Sequence, residues 1–278
     1  MTVTWTDEAE LEPERLTPLG WVLVILRGIP FILVLIIGLA LHEIIRVIER
    51  PFAGQTRPFS PKITQFVCRI GLVFLGIKMR VHGEIMEHPG AVVANHSSWL
   101  DIFVLNARKR IYFVAKSEVK GWAGIGWLAR ATGTVFINRD RREAKKHTDV
   151  LKERLGYGHR LLFFPEGTST DNKRVLPFKT TLFAPFLTED IRENAHIQPV
   201  SVVYHAPVGK DPRFYGWWGD MEFASHILQV LGSRKKGSVD VICHPAIRMA
   251  DHSDRKKLAL ELETQVRAGY DQYTALER

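Results

Sequence analysis

A histidine and an aspartate stand five positions apart in the segment VANHSSWLD, residues 93–101. A neutral imidazole can take a proton from a hydroxyl group near pH 7, and a carboxylate on its other nitrogen fixes the tautomer. Positions five apart on a helix lie about 140° from each other, so His96 must precede the helix if it is to meet Asp101. The sequence allows this, because a strand is predicted to end near Asn95 and Ser98 can serve as the helix N-cap.

A structural role for Asp101 competes with this chemical one. Ser98 and Asp101 match a capping box, in which the carboxylate only accepts a hydrogen bond from a backbone N–H. A histidine and an aspartate at this spacing also occur together often by chance. The segment alone therefore leaves both interpretations open.

The segment LLFFPEGTST, residues 161–170, places a second polar turn after an apolar run. The apolar residues predict a central strand that Pro165 ends. Glu166, Gly167 and Thr168 then supply a carboxylate, a flexible glycine and a hydroxyl at the strand end, where open α/β sheets bind ligands. A solvated surface loop is the alternative interpretation of this turn.

Short β-rich runs alternate with helical stretches beyond residue 80. This alternation predicts an α/β fold with a largely parallel central sheet flanked by helices. Leu258, Leu262 and Val266 recur at helical spacing and predict a C-terminal helix that covers the core. The predicted strands are 91–95, 111–115, 133–138, 160–165, 197–204 and 239–244.

An apolar stretch from Leu19 to Leu41 is long enough to cross a hydrocarbon layer of about 30 Å as a helix. Arg27 and Pro30 interrupt it, and a second apolar stretch follows at 63–77. Three interpretations stay open: one spanning helix followed by an amphipathic segment, two helices in one leaflet, or a buried helix of a soluble protein. The first two associate the protein with a membrane.

The charges that flank this stretch orient it. The residues before it are mainly acidic and several arginines follow it, so the positive-inside rule places the rest of the chain in the cytoplasm. Two cysteines without zinc-like spacing fit a reducing compartment. We therefore expect a cytoplasmic-membrane protein with an acidic N-terminal tail (1–18), a membrane-anchoring helical region (19–79) and an α/β domain (80–278) that faces the cytoplasm.

Positive charge is concentrated in the middle of the chain. Residues 105–180 contain 17 Lys and Arg against 7 Asp and Glu, whereas the whole chain has a net charge of +8. Such a segment predicts an anionic partner, and the apolar anchor favours membrane lipids or a phosphorylated substrate with an acidic carrier. No nucleic-acid-binding module is recognisable, so we expect no nucleic-acid partner.

Four motifs in the chain resemble those of the glycerolipid acyltransferases of the lysophosphatidate acyltransferase type. That family combines N-H-x4-D, G-x-x-F-[IV]-x-R, F-P-E-G-T and a late apolar x-P-V motif, in this order. Each motif is weak alone, but the four together, behind an N-terminal apolar segment, are specific. The matching residues are Asn95–Asp101, Gly133–Arg139, Phe164–Thr168 and Ile197–Val200.

The resemblance implies transfer of a fatty acyl group from acyl-CoA or acyl-carrier protein (acyl-ACP) to the sn-2 hydroxyl of 1-acyl-sn-glycerol-3-phosphate. It implies that His96 is the general base, that Asp101 orients its imidazole and that Arg139 holds the acceptor's phosphate. A thioester is already activated, so no Ser or Cys nucleophile is needed, and no cofactor beyond the acyl donor is expected. No metal is expected either, since His96, Asp101 and Glu166 together would make a poor zinc site. The other candidate substrate-binding residues are Glu166, Gly167, Thr168, Lys116 and Lys179.

The chain departs from the family pattern at Ser169, where arginine is frequent, and just after Lys179. Both positions lie near the expected headgroup site, so a lyso-ornithine lipid, whose headgroup is an amino acid, is an alternative acceptor. A non-catalytic membrane-bound scaffold or anionic-ligand binder is the alternative from another functional class.

Overall fold

A computed structural model describes residues 4–122, 125–138 and 141–275. Within these residues, eight strands form one sheet with the spatial order β1-β7-β6-β2-β5-β3-β4, and β8 pairs with β6. The strands are β1 Ile77–His82, β2 Gly90–Ala94, β3 Tyr112–Lys116, β4 Val135–Ile137, β5 Arg160–Phe163, β6 His196–His205, β7 Gly237–Cys243 and β8 Ile247–Arg248.

The centre of this sheet is parallel. β2 pairs in parallel with β5 and β6, and β3 pairs in parallel with β5 and β4. β7 and β8 pair antiparallel with β6, and β1 runs parallel to β7. Every residue of β2 is buried, as expected for a parallel strand that is covered on both faces. The predicted α/β fold with a largely parallel sheet is confirmed.

Helices cover both faces of the sheet. Val92 and Leu162 face a core that includes α1, α2, α3 and α7, and Ala91 and Leu161 face a core that includes α5 and α8. The helices are α1 Pro18–Ala53, α2 Ser60–Leu75, α3 Asp101–Arg108, α4 Ile125–Ala131, α5 Ala144–Gly156, α6 Glu189–Arg192, α7 Phe223–Gly232 and α8 Arg255–Ala275.

The first two helices form an antiparallel pair that packs on the α/β domain. Glycines let them approach closely: a Cβ atom on Gly38 would lie 2.2 Å from the Val67 side chain. Phe31 of α1 packs on Phe103 of α3, with ring centroids 5.6 Å apart. The guanidinium of Arg27 donates hydrogen bonds to two carbonyl oxygens at the end of α7. Arg27 therefore has a partner in the α/β domain, although it interrupts the apolar stretch.

The outer face of α1 is apolar and exposed. Among the described residues, α1 is the one helix that is long and apolar enough to cross a membrane. Leu26, Ile36, Val47 and Phe52 are between 60% and 89% exposed. Because a soluble surface rarely presents so long an apolar strip, α1 is a candidate membrane anchor.

Candidate active site

Two polar turns meet at one edge of the sheet. β2 and β5 are parallel neighbours, so the residues that follow Ala94 and Phe163 leave the sheet side by side. The backbone N–H of His96 donates to Oε1 of Glu166 at 2.7 Å. The backbone N–H of Thr170 donates to the carbonyl oxygen of His96 at 3.0 Å. These two bonds connect the turns that were predicted separately from the sequence.

His96 and Asp101 form a hydrogen-bonded pair. Nδ1 of His96 lies 2.7 Å from Oδ2 of Asp101, and the carboxylate is fully buried while 22% of the His96 side chain is exposed. A carboxylate in this place keeps the proton on Nδ1, so Nε2 is the basic nitrogen. Phe164 stacks on the imidazole with ring centroids 4.0 Å apart and fixes its orientation. Within the described part of the chain, Nε2 has no hydrogen-bond partner and is available to a substrate.

Asp101 accepts hydrogen bonds from four donors. Oδ2 accepts from the imidazole of His96 and from the backbone N–H groups of Ser97 and Ser98, at 3.0 and 3.2 Å. Oδ1 accepts from the hydroxyl of Tyr204 at 2.7 Å. Burial, together with the charge of Asp101, raises the pKa of Tyr204 well above its usual range, so the hydroxyl keeps its proton and donates. The carboxylate is thus held in one position from both sides.

Tyr204 is a site residue that the sequence does not identify. A tyrosine at the end of an apolar strand indicates a buried hydroxyl that needs a hydrogen-bond partner. Its partner, however, lies 103 positions away along the chain. Only the pairing of β6 with β2 brings the two residues together.

The predicted N-cap at Ser98 is wrong. α3 begins at Asp101, and the residues before it form a tighter turn in which the N–H of Asp101 donates to the carbonyl of Ser98. The Asp101 carboxylate satisfies the free N–H groups of this turn, so the Ser98 hydroxyl is not needed as a cap and has no partner among the described atoms. The chemical and structural interpretations of Asp101 are therefore compatible, because Oδ2 serves both the imidazole and the turn.

Glu166 lies next to His96 but points into the protein. It is 2% exposed, and its two oxygens accept hydrogen bonds from the backbone N–H groups of His96 and Leu176, at 2.7 and 2.8 Å. Burial raises the pKa of Glu166 to about 8, although these two hydrogen bonds act in the opposite direction. The carboxyl group of Glu166 therefore joins the two turns and does not line an open surface.

Three further predicted residues lie on the Glu166 turn or beside it. Gly167 has φ +70°, and a Cβ atom there would lie 2.5 Å from Nζ of Lys179, so the ammonium group sits against this turn. Thr168 accepts a hydrogen bond through its hydroxyl from the backbone N–H of Trp5, at 3.2 Å. The acidic tail thus reaches the second turn.

Lys116 and Arg139 are the last two predicted site residues. Lys116 is the last residue of β3, which places it at the same edge of the sheet as His96 and Glu166. Arg139 lies outside the described residues. The structure thus brings His96, Asp101 and Glu166 together directly.

Asn95 extends the pairing of β2 beyond its last residue. Its side-chain amide donates to the carbonyl of Val202 at 2.8 Å and accepts from the N–H of Val202 at 2.7 Å. These bonds hold the start of the His96 turn against β6. The sequence motif includes Asn95, but its role is visible only in the folded chain.

Metal-assisted or thiol chemistry would need a cluster of metal ligands or a reactive cysteine. Over the residues that the structure describes, no group of three His, Cys, Asp or Glu side chains could hold a metal ion. Cys243 is buried, and burial raises the pKa of its thiol to about 11, so it is a poor nucleophile near neutral pH.

Known proteins resemble this chain in sequence and in fold. A family model described as Acyltransferase matches residues 78–203. A lyso-ornithine lipid O-acyltransferase from Rhodobacter capsulatus is 56% identical over 89% of this chain and 90% of its own length. A 1-acyl-sn-glycerol-3-phosphate acyltransferase from Neisseria gonorrhoeae is 32% identical over 71% of this chain and 76% of its own.

A solved structure shares the fold. The 1-acyl-sn-glycerophosphate acyltransferase of Thermotoga maritima superposes with a TM-score of 0.63 at 20% identity, covering 92% of this chain and 98% of its own. The fold, the four motifs and the identity to the Rhodobacter relative all indicate the same family. This chain belongs to the acyltransferase family and is an acyltransferase.

Proposed function

We propose that this acyltransferase transfers a fatty acyl group to the hydroxyl of lyso-ornithine lipid. The observation that carries the proposal is the 56% identity to the Rhodobacter lyso-ornithine lipid O-acyltransferase, against 32% for the Neisseria relative named for lysophosphatidate. The first prediction, lysophosphatidate as acceptor, is therefore less well supported than its alternative. A neutral Ser169 in place of the frequent arginine also suits a headgroup that carries its own amine.

The His96–Asp101 pair supports base-catalysed transfer directly from a thioester. Nε2 of His96 takes the proton of the acceptor hydroxyl while the hydroxyl oxygen attacks the thioester carbonyl carbon. The tetrahedral intermediate collapses as its C–S bond breaks, and the imidazolium returns the proton to the leaving thiolate. Asp101 stabilises the imidazolium between these two transfers through the contact of 2.7 Å at Nδ1. A positioned base of this kind contributes roughly 10²- to 10⁴-fold to the rate.

Glu166 has a positioning role in this proposal. Its two carboxyl oxygens hold the backbone of His96 and of Leu176, so Glu166 sets the place of the imidazole without touching the substrate. Lys116 and Lys179 are the candidate partners for the anionic groups of the acyl donor, acyl-CoA or acyl-ACP. The role of Arg139 at an acceptor phosphate stays a prediction from the resemblance. A lysine at the sheet edge, as Lys116 is, suits either donor, since both carry phosphate.

The packing of α1 and α2 favours the interpretation in which both helices lie in one leaflet, rather than the one in which α1 spans the bilayer. Arg27 and Phe31 lie inside the apolar stretch, yet they contact α7 and α3 of the α/β domain. A helix that crossed the bilayer along this stretch would carry those residues away from the domain. We therefore place α1 and α2 along the cytoplasmic leaflet, with their exposed apolar face in the lipid and the active site near its surface.

The acceptor assignment is tested with the purified full chain in detergent. Lyso-ornithine lipid and lysophosphatidate are each supplied with acyl-ACP or acyl-CoA, and the products are identified by mass spectrometry. We expect a kcat/KM at least about tenfold higher for lyso-ornithine lipid. His96→Ala is expected to lower it by about 100-fold or more, which is the contribution of the base.

His88→Ala is the matched control. His88 is an exposed histidine that stacks on His196, and in the described part of the chain it makes no hydrogen bond or ring contact with the His96 turn. Its removal should leave kcat/KM within about twofold of the wild type. A preference for lysophosphatidate would overturn the acceptor assignment, and full activity of His96→Ala would overturn the assignment of the base.

A further inference from the structure

A cavity of about 400 Å³ lies where α1 begins, apart from the active-site residues described above. Its walls are the end of the N-terminal tail, the first turn of α1, the end of α7 and the loop around Val208. This volume falls within the range of small-molecule sites. The lining residues are Glu14, Arg15, Leu16, Thr17, Leu19, Gly20, Val208, Lys210, Phe214, Gln229, Gly232, Ser233, Arg234 and Lys235.

The cavity is rich in positive charge. Four of its lining residues are cationic, and the single carboxylate among them, Glu14, pairs with Lys210. Arg15, Arg234 and Lys235 have no carboxylate partner within the described residues, and all three are exposed. Three uncompensated cations around one cavity favour an anionic occupant.

An arginine also neutralises the part of the wall that would repel an anion. The C-terminal end of a helix presents free carbonyl oxygens and carries partial negative charge. Here Nη1 of Arg27 donates to the carbonyl oxygens of Leu231 and Ser233, at 2.9 and 2.8 Å. The end of α7 is therefore satisfied from within the protein, and its carbonyls do not offset the cations of the cavity.

The same cavity has an apolar side that continues onto the membrane anchor. Leu16, Leu19 and Phe214 line it, and Trp21 and Val22, each about half exposed, follow on α1. A ligand that used both sides would have an anionic headgroup and an apolar chain. A basic pocket beside a membrane helix is an arrangement that suits anionic lipid headgroups.

We propose that this cavity binds the phosphate headgroup of an anionic membrane phospholipid. Arg15, Arg234 and Lys235 contact the phosphate, and the acyl chains run along the exposed apolar face of α1. The site would hold the enzyme against an anionic leaflet at the N-terminal end of its anchor. The proposal does not depend on the identity of the acyl acceptor, and its test does not use activity.

The test measures lipid binding to the full chain in neutral detergent. The protein is titrated with phosphatidylglycerol, phosphatidylcholine or inorganic phosphate, and bound lipid is counted by native mass spectrometry. We expect one phosphatidylglycerol per chain with saturable binding, and at least tenfold weaker binding of phosphatidylcholine. Because one exposed ion pair contributes up to about fivefold, R234Q/K235Q should weaken binding by up to about 25-fold and R15Q by up to about fivefold.

The control is a second pair of exposed cations on the same anchor. Arg50 and Lys62 lie near the other end of the α1–α2 pair, outside the cavity. R50Q/K62Q removes the same charge and should leave binding within about twofold. An equal loss of lipid affinity in the two double variants would mean that only general charge attraction is at work, and would overturn the proposed site. An unchanged R234Q/K235Q, or phosphate competing as strongly as the lipid, would also overturn it.

Discussion

Replacing Asp101 by asparagine removes one buried charge while the hydrogen bonds around it can be kept. The amide oxygen can take the place of Oδ2 and accept from His96, Ser97 and Ser98. The amide nitrogen can take the place of Oδ1 and donate to Tyr204, because a tyrosine hydroxyl accepts as well as donates. We therefore expect Asp101→Asn to fold. What it loses is the negative charge beside Nδ1 of His96.

The size of the loss follows from the geometry. With charge centres about 4 Å apart and an effective dielectric constant of about 20, an imidazolium and a carboxylate interact by about 4 kcal/mol. The dipole of the asparagine amide recovers part of this. The transition state, in which His96 is charged, should then lose about 2–4 kcal/mol, so kcat/KM should fall by about 30- to 1,000-fold.

The assay is kcat/KM for the lysolipid acceptor, measured on samples whose thermal unfolding is followed in parallel. Asp240→Asn is the control. Asp240 is also buried, and its carboxylate contacts Arg80, His82 and His205 but not His96. This variant should lose stability and keep the turnover of its folded fraction. Activity of Asp101→Asn within threefold of the wild type, or an equal fall in Asp240→Asn, would refute the charge argument.

Three further predictions concern residues that hold the site. Tyr204→Phe removes a hydrogen bond to a buried carboxylate and should lower the free energy of unfolding in urea by about 1.5–3 kcal/mol, with a fall in kcat; unchanged stability would contradict this role. Because burial raises the pKa of Glu166 from 4.5 to about 8, the folded protein keeps a proton that the unfolded chain releases between these values. Stability should fall as pH rises through this window, by up to about 1.4 kcal/mol per pH unit, and Glu166→Gln should remove that slope in denaturation series at pH 5 to 8. Gly167→Ala and Gly158→Ala both place a side chain at positive φ and should each lose about 1 kcal/mol of stability, but only Gly167→Ala, whose Cβ would meet Lys179, should also lower kcat/KM.

The sequence predicts the central strands because their burial leaves a local pattern. The segment at 91–95 is apolar throughout, as expected of a strand covered on both faces, and the observed β2 spans Gly90–Ala94. β1 is not among the predicted strands, although its apolar residues alternate with polar ones as in a half-buried edge strand, because its first residue, Ile77, falls within the apolar stretch at 63–77. β8 has only two residues, which is too short for any periodicity.

The helix start shows the limit of a local rule. A serine three positions before an acidic residue is typical of an N-cap, yet α3 begins at Asp101 and Ser98 does not cap it. The Asp101 carboxylate accepts hydrogen bonds from the N–H groups of this turn in place of a serine hydroxyl. Tyr204 and His96, which lie outside the helix, hold the carboxylate in the position that allows this. The N-cap preference of serine describes the local sequence of a helix and does not include such tertiary contacts.

The chemical groups of the site can be read from the sequence: an imidazole with an aspartate, and a second turn with a glutamate, each at the end of an apolar strand. Side-chain type and spacing are local properties, and they suffice for that. Which partner each of these side chains contacts is visible only in the folded chain. Parallel pairing of β2 with β5 and β6 turns Glu166 inward to the backbone of His96 and places Tyr204 on Asp101, because contacts between distant segments depend on strand order.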